Sequence, residues 1–398
     1  MTKILAQHGA AKGKKMDMAI SHGYLSGGIF SPREEKFSSI EEYLKDNALF
    51  NKDNTFLDPQ LYYSTFDGKI FKNLDNEICY PIKITRRDWR KQTKEILEFL
   101  DKHAENSKKI SNQLITPGFY IQDLDWKFDY SLDIYEYCYS NYVFEKYYLS
   151  LIISASFFHS KTDVDEMIED INDNIDNKSG IYFSLCYEKI QEKNYEYFDE
   201  QYLTNIFYFI YSLKNAGFNI LVGYTFINSI LFAMLDCEYV ATGWFNNLRK
   251  FSKDRFEEVD SIGRRKKRYT SLPLFTYITF DNLNNIRDVI NIESLLNGSY
   301  IDGNVVNDQD AISFVDLEQQ YWEALYLFIN KINKYSNISD KVKFVLDEIN
   351  KAKNLYNNIL NGLSNKKEVY DRIKSDAKHL DAWIMGIETL KKRISLIV

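Results

Sequence analysis

The sequence predicts an α/β protein: a (β/α)8 TIM-like barrel followed by a C-terminal α-helical appendage. Three observations lead there. Between residues 149 and 280, short apolar runs alternate with helix-length amphipathic runs. Those apolar runs are continuous rather than alternating, the pattern of strands buried on both faces in a parallel sheet. Counted through the chain, eight strand candidates appear, each followed by a helix or a long loop, and eight is the strand count of this barrel. The alternative is an open doubly wound parallel sheet. No Gly-x-Gly-x-x-Gly turn follows any candidate strand, as a dinucleotide-binding sheet would require.

Taken in order, 16–22 reads as the first strand and runs into a glycine-rich loop, Gly23 to Gly28, then Ser31 and Pro32. Ser39 caps a helix over 40–49, with Glu41 and Glu42 in its first turn. A second strand at 55–58 is stopped by Pro59, and 60–85 is loop-like. A helix over 88–103 precedes a third strand at 113–116, stopped by Pro117 and Gly118, and 131–146 is helical. Strands at 149–156, 181–187, 219–224, 239–243 and 272–278 follow, with helices over 163–175, 199–216 and 226–236 between them. The barrel therefore spans 1–312, its last part (281–312) rich in Asn and Asp with weak periodicity. Residues 313–398 read as an α-helical domain: 314–334, a helix capped by Ser339 that ends at Asn361-Gly362, and 366–396, broken near Met385-Gly386. Its expected role is packing against the barrel, a dimer contact or a protein partner.

At 398 residues and 45% hydrophobic, the chain can bury a full core. A net charge of −7 argues against a general nucleic-acid coat but leaves room for a local basic patch. The abundant Tyr and Phe accompany frequent Asn and Lys and read as compositional bias, not as stacking platforms. Cys79, Cys138, Cys186 and Cys237 form no C-x-x-C pair and read as free thiols of a reducing cytosol. The opening 15 residues are polar and basic, without the apolar core of a signal peptide. The longest apolar run, 147–158, falls short of the roughly 20 residues of a spanning helix. The expectation is a cytoplasmic protein with no membrane partner.

In a barrel of this type the active site lies at the C-terminal ends of the strands. That rule selects His22, Tyr24 and Ser26 after the first expected strand, then Asp58 and Gln60, Asp123 and Asp125, His159, Glu188, Tyr224, the group Thr242, Gly243 and Trp244, and finally Tyr277. Asp58 is the strongest catalytic candidate, as a base, a nucleophile or a ligand to substrate hydroxyls; the competing reading is a turn aspartate held by local amides. His22 is expected to assist it, while His8, His103 and His379 read as surface residues. Asp123 and Asp125 read as loop residues. No H-x-H, H-E-x-x-H or cysteine cluster announces a metal, scattered carboxylates leave a Mg²⁺ site open, and no cofactor is expected. The loop after 239–243 carries Arg249, Lys250, Lys253 and Arg255, then the run Arg264, Arg265, Lys266, Lys267, Arg268. Five consecutive cations in an acidic chain suit a phosphate or nucleic-acid contact, with solvated surface as the plain alternative. A second basic cluster spans 86–91.

Two stretches carry a family resemblance. The run Ser26-Gly27-Gly28-Ile29-Phe30-Ser31-Pro32 is similar to the Ser-Gly-Gly-Phe loop of the tRNA-guanine transglycosylase superfamily, which includes DNA-modifying relatives. The stretch 227–244, ending Asp236-Cys237-Glu238-Tyr239-Val240-Ala241-Thr242-Gly243-Trp244, resembles that family's late helix–strand unit. The resemblance implies a barrel that exchanges a base in a nucleic acid. Leu25 stands where the family's loop has its aspartate, and the family's zinc cysteines are missing, so Asp58 or another strand-end carboxylate would have to take over. The expected function is action on a nucleotide or nucleic acid, by glycosidic-bond cleavage or base exchange, with Arg264–Arg268 and Arg249 on phosphate and Trp244 on a base. The rival expectation is a non-catalytic scaffold or nucleic-acid-binding subunit. An open polar mouth favours the enzyme, and a mouth plugged by Phe, Tyr and Trp favours the scaffold.

Overall fold

The computed structural model describes residues 1–9, 14–66, 73–74, 80, 85–91, 93–176, 179–187, 199–244, 248–253 and 266–395. Among them, eight parallel strands curl into a nearly closed barrel: β1 (Lys3–Gln7), β2 (Gly27–Phe30), β3 (Thr55–Leu57), β4 (Gln113–Ile115), β5 (Lys146–Ser154), β6 (Gly180–Tyr187), β7 (Asn219–Val222) and β8 (Tyr239–Thr242). The hydrogen-bonded path runs β3-β2-β1-β8-β7-β6-β5-β4. Its two edges, β3 and β4, meet side by side. At the N-terminal end of this seam Asn112 N–H donates to the Lys52 carbonyl (2.9 Å) and the Gln113 amide donates to the Asp53 carbonyl (2.9 Å). Two short strands, Tyr120–Ile121 and Phe251–Ser252, add to the upper parts of β5 and β6.

Alternation along the strands fixes what fills the barrel and what faces the helices. The Phe56 ring meets Tyr148 of β5 (5.7 Å) and Tyr239 of β8 (5.5 Å), a contact possible only through the interior. Phe30 points the other way, onto Phe50 and Tyr43 of the helix Phe37–Lys45. Phe183 likewise packs outward on Phe158 and on Phe209 of the helix Glu200–Asn215.

The count of eight holds, but its two outermost members lie elsewhere. Residues 16–22 are not a strand: Lys14–Ser21 is a helix. Met16 and Ala19 are buried while Met18 is exposed, a helical spacing that the alternation of Met16, Met18 and Ile20 disguises. The true first strand lies in the stretch read as polar and basic, where Ile4, Leu5 and Ala6 are buried. The glycine-rich loop expected over Gly23 to Gly28 runs into β2, which begins at Gly27. The run 272–278 is also not a barrel strand: Arg268–Ser271 and Thr276–Thr279 form an antiparallel hairpin that packs on the helix Phe314–Ile332. His8, His103 and His379 are buried rather than on the surface.

Gly27 shows why β2 needs glycine. An added Cβ would lie 1.9 Å from the Asn54 carbonyl oxygen, the acceptor of the Gly28 N–H (3.0 Å). Gly27→Ala must push β2 away from β3 and is expected to cost about 3 kcal/mol of stability. Guanidinium unfolding checks this; a loss below about 0.5 kcal/mol would show that the strands part freely.

The helices expected over 313–398 lie against the barrel. Phe314–Ile332 starts at a capping box between Ser313 and Asp316, buries Tyr321 and Trp322 completely, and bonds Tyr321 Oη to Thr242 Oγ1 of β8 (2.6 Å). Ile338–Gly362, capped by Asn337 rather than Ser339, sets the buried Lys341 ammonium on Asp236 (2.5 Å). The last stretch divides at Ala377, not at Gly386, into Lys367–Asp376 and Lys378–Ser395. Lys378–Ser395 packs along Glu200–Asn215.

Candidate active site

Among the described residues, the C-terminal ends of the strands place the Asp58 carboxylate in the barrel. β3 is a short, wholly buried Thr-Phe-Leu run, and Asp58 follows it with its N–H on the Phe30 carbonyl (2.9 Å), extending the pairing with β2. Asp58 lies two residues beyond Phe56 and so points inward as well. Pro59 ends the strand, Gln60 takes a left-handed conformation (φ 56°), and a 3-10 turn, Leu61–Thr65, brings Tyr62 back over the strand end. Among the described residues, donors from Gln60, Tyr62 and Tyr182 converge on the Asp58 carboxylate. Gln60 N–H gives to Oδ1 (3.0 Å); the hydroxyls of Tyr62 (2.8 Å) and of Tyr182 on β6 (3.1 Å) give to Oδ2. Burial, and next the negative charge of Asp58, hold the Tyr62 hydroxyl well above its usual range, so it stays a donor.

Aromatic rings close over this carboxylate, which has no exposed surface. Tyr62 stacks on Tyr63 (5.6 Å) and meets Phe251 edge-on (5.3 Å); Phe251 also meets Tyr224 (4.8 Å), and Phe66 meets Tyr120 (5.1 Å). Polar bonds tie the cover to the floor. Gln60 Nε2 donates to the Tyr224 hydroxyl (3.4 Å), and the Tyr80 hydroxyl donates to the Gln60 carbonyl (2.6 Å). Burial and Asp58 raise the Tyr80 hydroxyl well above its usual range, with Arg33 opposing them.

A second charged group lies at the ends of β1 and β2. His8 is wholly buried, its ring tilted against Phe30 (5.2 Å). It accepts the Ser31 N–H at Nδ1 (3.3 Å), which places the proton of a neutral ring on Nε2, 3.7 Å from Glu35 Oε1. Next to it Arg33 pairs with Glu34 (2.6 Å), both side chains nearly buried, and its guanidinium lies over the Tyr63 ring (4.8 Å). The strand-end rule would have selected Arg33, Glu34 and Glu35 had 27–30 been read as a strand. The signal for that was Ile29-Phe30 followed by Ser31-Pro32.

The structure separates the remaining candidates from Asp58. Ser26 precedes β2 and His22 ends the helix Lys14–Ser21; both are exposed at the N-terminal side of the barrel, opposite the mouth. Trp244 is buried against Trp322 (6.2 Å). Arg249 donates to the carbonyls of Gly243 (2.9 Å) and Trp244 (3.3 Å) with its guanidinium 3.5 Å over the Tyr321 ring, which occupies it inside the protein. Lys266 is exposed, Lys267 reaches the Asp310 carbonyl (3.3 Å) and Arg268 lies over Tyr277 (5.0 Å), at the start of the antiparallel hairpin. Arg264, Arg265, Cys79 and Glu188 lie outside the described residues. His159 is half exposed and faces Asp199 (3.3 Å). Asp125 caps the helix Trp126–Asn141, and Asp123 is an exposed loop residue. Thr242 points outward to Tyr321. Of the second basic cluster, 86–90 form a short helix capped by Thr85.

Among the described residues no cluster of three His, Cys, Asp or Glu side chains has the arrangement of a metal site, and no helix is long and apolar enough to cross a membrane. Comparison of the chain with protein-family models, with curated proteins and with solved structures returned no match.

Proposed function

We propose that the protein is a barrel enzyme that cleaves or exchanges the glycosidic bond of a base in a nucleotide or nucleic acid. The observation that carries this reading is Asp58: an inward carboxylate at the C-terminal end of a barrel strand, gripped by hydroxyls from two different parts of the barrel. Glycosidic bonds break through a cation-like sugar, and a preorganised carboxylate away from water stabilises that charge or attacks it. Tyr62 and Tyr182 fix both position and orientation of the carboxylate, so little reorganisation accompanies the reaction. The resemblance of 26–32 and 227–244 to the transglycosylase superfamily agrees with this chemistry. The cations of 264–268 are its proposed phosphate contact.

The rings of Tyr62, Phe251 and Tyr224 favour a second reading, the scaffold, because substrate reaches Asp58 only if that cover moves. Base release decides between them. The purified protein is incubated with tRNA, single-stranded DNA, duplex DNA and free nucleotides, and released or exchanged base is measured by mass spectrometry. Release from any of these supports the enzyme; none from all four supports the scaffold. Binding that weakens with salt and with neutralisation of 264–268 is expected in either case if those cations meet phosphate.

A further inference from the structure

Gln7 ends β1 and is wholly buried, yet neither its amide oxygen nor its amide nitrogen has a hydrogen-bond partner among the described residues. The same holds for the hydroxyl of Ser184 on β6 and for Oε1 of Gln60. Buried polar groups are normally paired, and an amide with both ends unpaired is an expensive thing to keep in a core. Apolar residues of the same size were open to this position.

The strand register places these groups together. Tyr239 pairs with Lys3, while Phe56 pairs with Ile29 and through it with Gln7. Gln7 therefore lies level with Phe56 in the register, one inward position below Asp58 on β3. Both point inward: the even positions of β1 face out, as His8 does against Phe30. Ser184 follows Tyr182 by two residues on β6 and shares its inward face, and the hydroxyl of Tyr182 is already on Asp58.

The geometry points to Gln7 as the residue that recognises a planar, amide-like ligand edge, that of a nucleobase, in the upper barrel just below Asp58. A glutamine presents one acceptor and one donor side by side, the complement of the adjacent donor and acceptor on a base edge. Ser184 and Gln60 Oε1 supply a hydroxyl and a further acceptor at the same end of the barrel. This inference rests on the glycosidic reading and assigns the leaving base to a subsite.

The test is calorimetric titration of wild type and Gln7→Met with the free bases adenine, guanine, cytosine and uracil. At least one base is expected to bind the wild type and to lose at least about tenfold in affinity in Gln7→Met, one hydrogen-bonded contact being worth that factor or more. Without base, the variant is expected to melt at the same temperature or higher, because it deletes an unpaired amide. Equal affinity in the two proteins, or no binding of any base to the wild type, overturns the inference. A lower melting temperature with unchanged affinity also overturns it, and marks Gln7 as a water-bridged structural residue. Gln7→Glu keeps the shape and exchanges the donor for an acceptor. It should reorder the four bases by at least about tenfold, and an unchanged order counts against Gln7. Base release measured on the same proteins separates the two claims. Release that ignores Gln7 sinks the subsite and spares the glycosidic reading, whereas no release from the wild type sinks the reading itself.

Discussion

Stability is expected to fall steeply as pH drops from 6.5 toward 4, and two buried histidines are the reason. His103, on the helix Lys94–Ile110, bonds Nε2 to the Ile115 carbonyl (2.8 Å), and burial pushes it down to about 4. His379, wholly buried at the start of Lys378–Ser395 against Trp383 (4.7 Å), is pushed down by burial to about 3. Both folded values lie below the unfolded value of about 6.5. Between these limits the unfolded chain binds protons that the folded chain refuses, so stability rises with pH there and its contribution is complete above about 6.5. At pH 5 the two groups together are expected to cost about 4 kcal/mol relative to pH 7, at about 1.4 kcal/mol per unit for each. Guanidinium unfolding at pH 7, 6, 5 and 4.5 measures it. His379→Gln and His103→Gln should each flatten the slope by up to about 1.4 kcal/mol per pH unit. Identical slopes in wild type and variants would show that neither histidine is held neutral.

Barrel architecture was legible because six of its eight strands are bounded apolar runs that need no partner to be noticed. β1 and β2 escaped for physical reasons. β1 is short, begins and ends on polar residues and lies among lysines; β2 carries two glycines, which a sequence signals as loop and the structure uses to bring β2 against β3 at Asn54. Missing them shifted the first expected strand onto a helix and carried His22 and Ser26 to a mouth from which the fold excludes them. Asp58 was found because its strand ends on Pro59, a signal independent of the count. His8 and the Arg33–Glu35 group were not, because their selection depends on knowing where β1 and β2 end. The buried histidines lie beyond periodicity: His103 and His379 become neutral core residues only through tertiary neighbours.

The second large effect is at Asp58, where two substitutions separate a chemical role from a structural one. Asp58→Asn keeps the shape and one acceptor oxygen. The hydroxyls of Tyr62 and Tyr182 can turn to accept from the new amide, so the fold is expected to survive within about 1–2 kcal/mol. The negative charge is gone, and base release is expected to fall by about 10³-fold, mainly in kcat, because that charge is needed only as the sugar becomes cationic. Asp58→Ala removes the acceptor of three donors, Gln60 N–H and both hydroxyls, and is expected to cost about 3 kcal/mol as well as activity. Tyr182→Phe leaves the charge but loosens its placement, and an intermediate loss of about tenfold is expected with the fold intact. The ordering of activity, wild type above Tyr182→Phe above Asp58→Asn, is what a reacting carboxylate requires. A protein in which Asp58→Asn releases base as fast as wild type, while Asp58→Ala is destabilised, uses Asp58 to pin Tyr62 and Tyr182 over the barrel. In that protein the aromatic cover is the purpose of the site rather than its door.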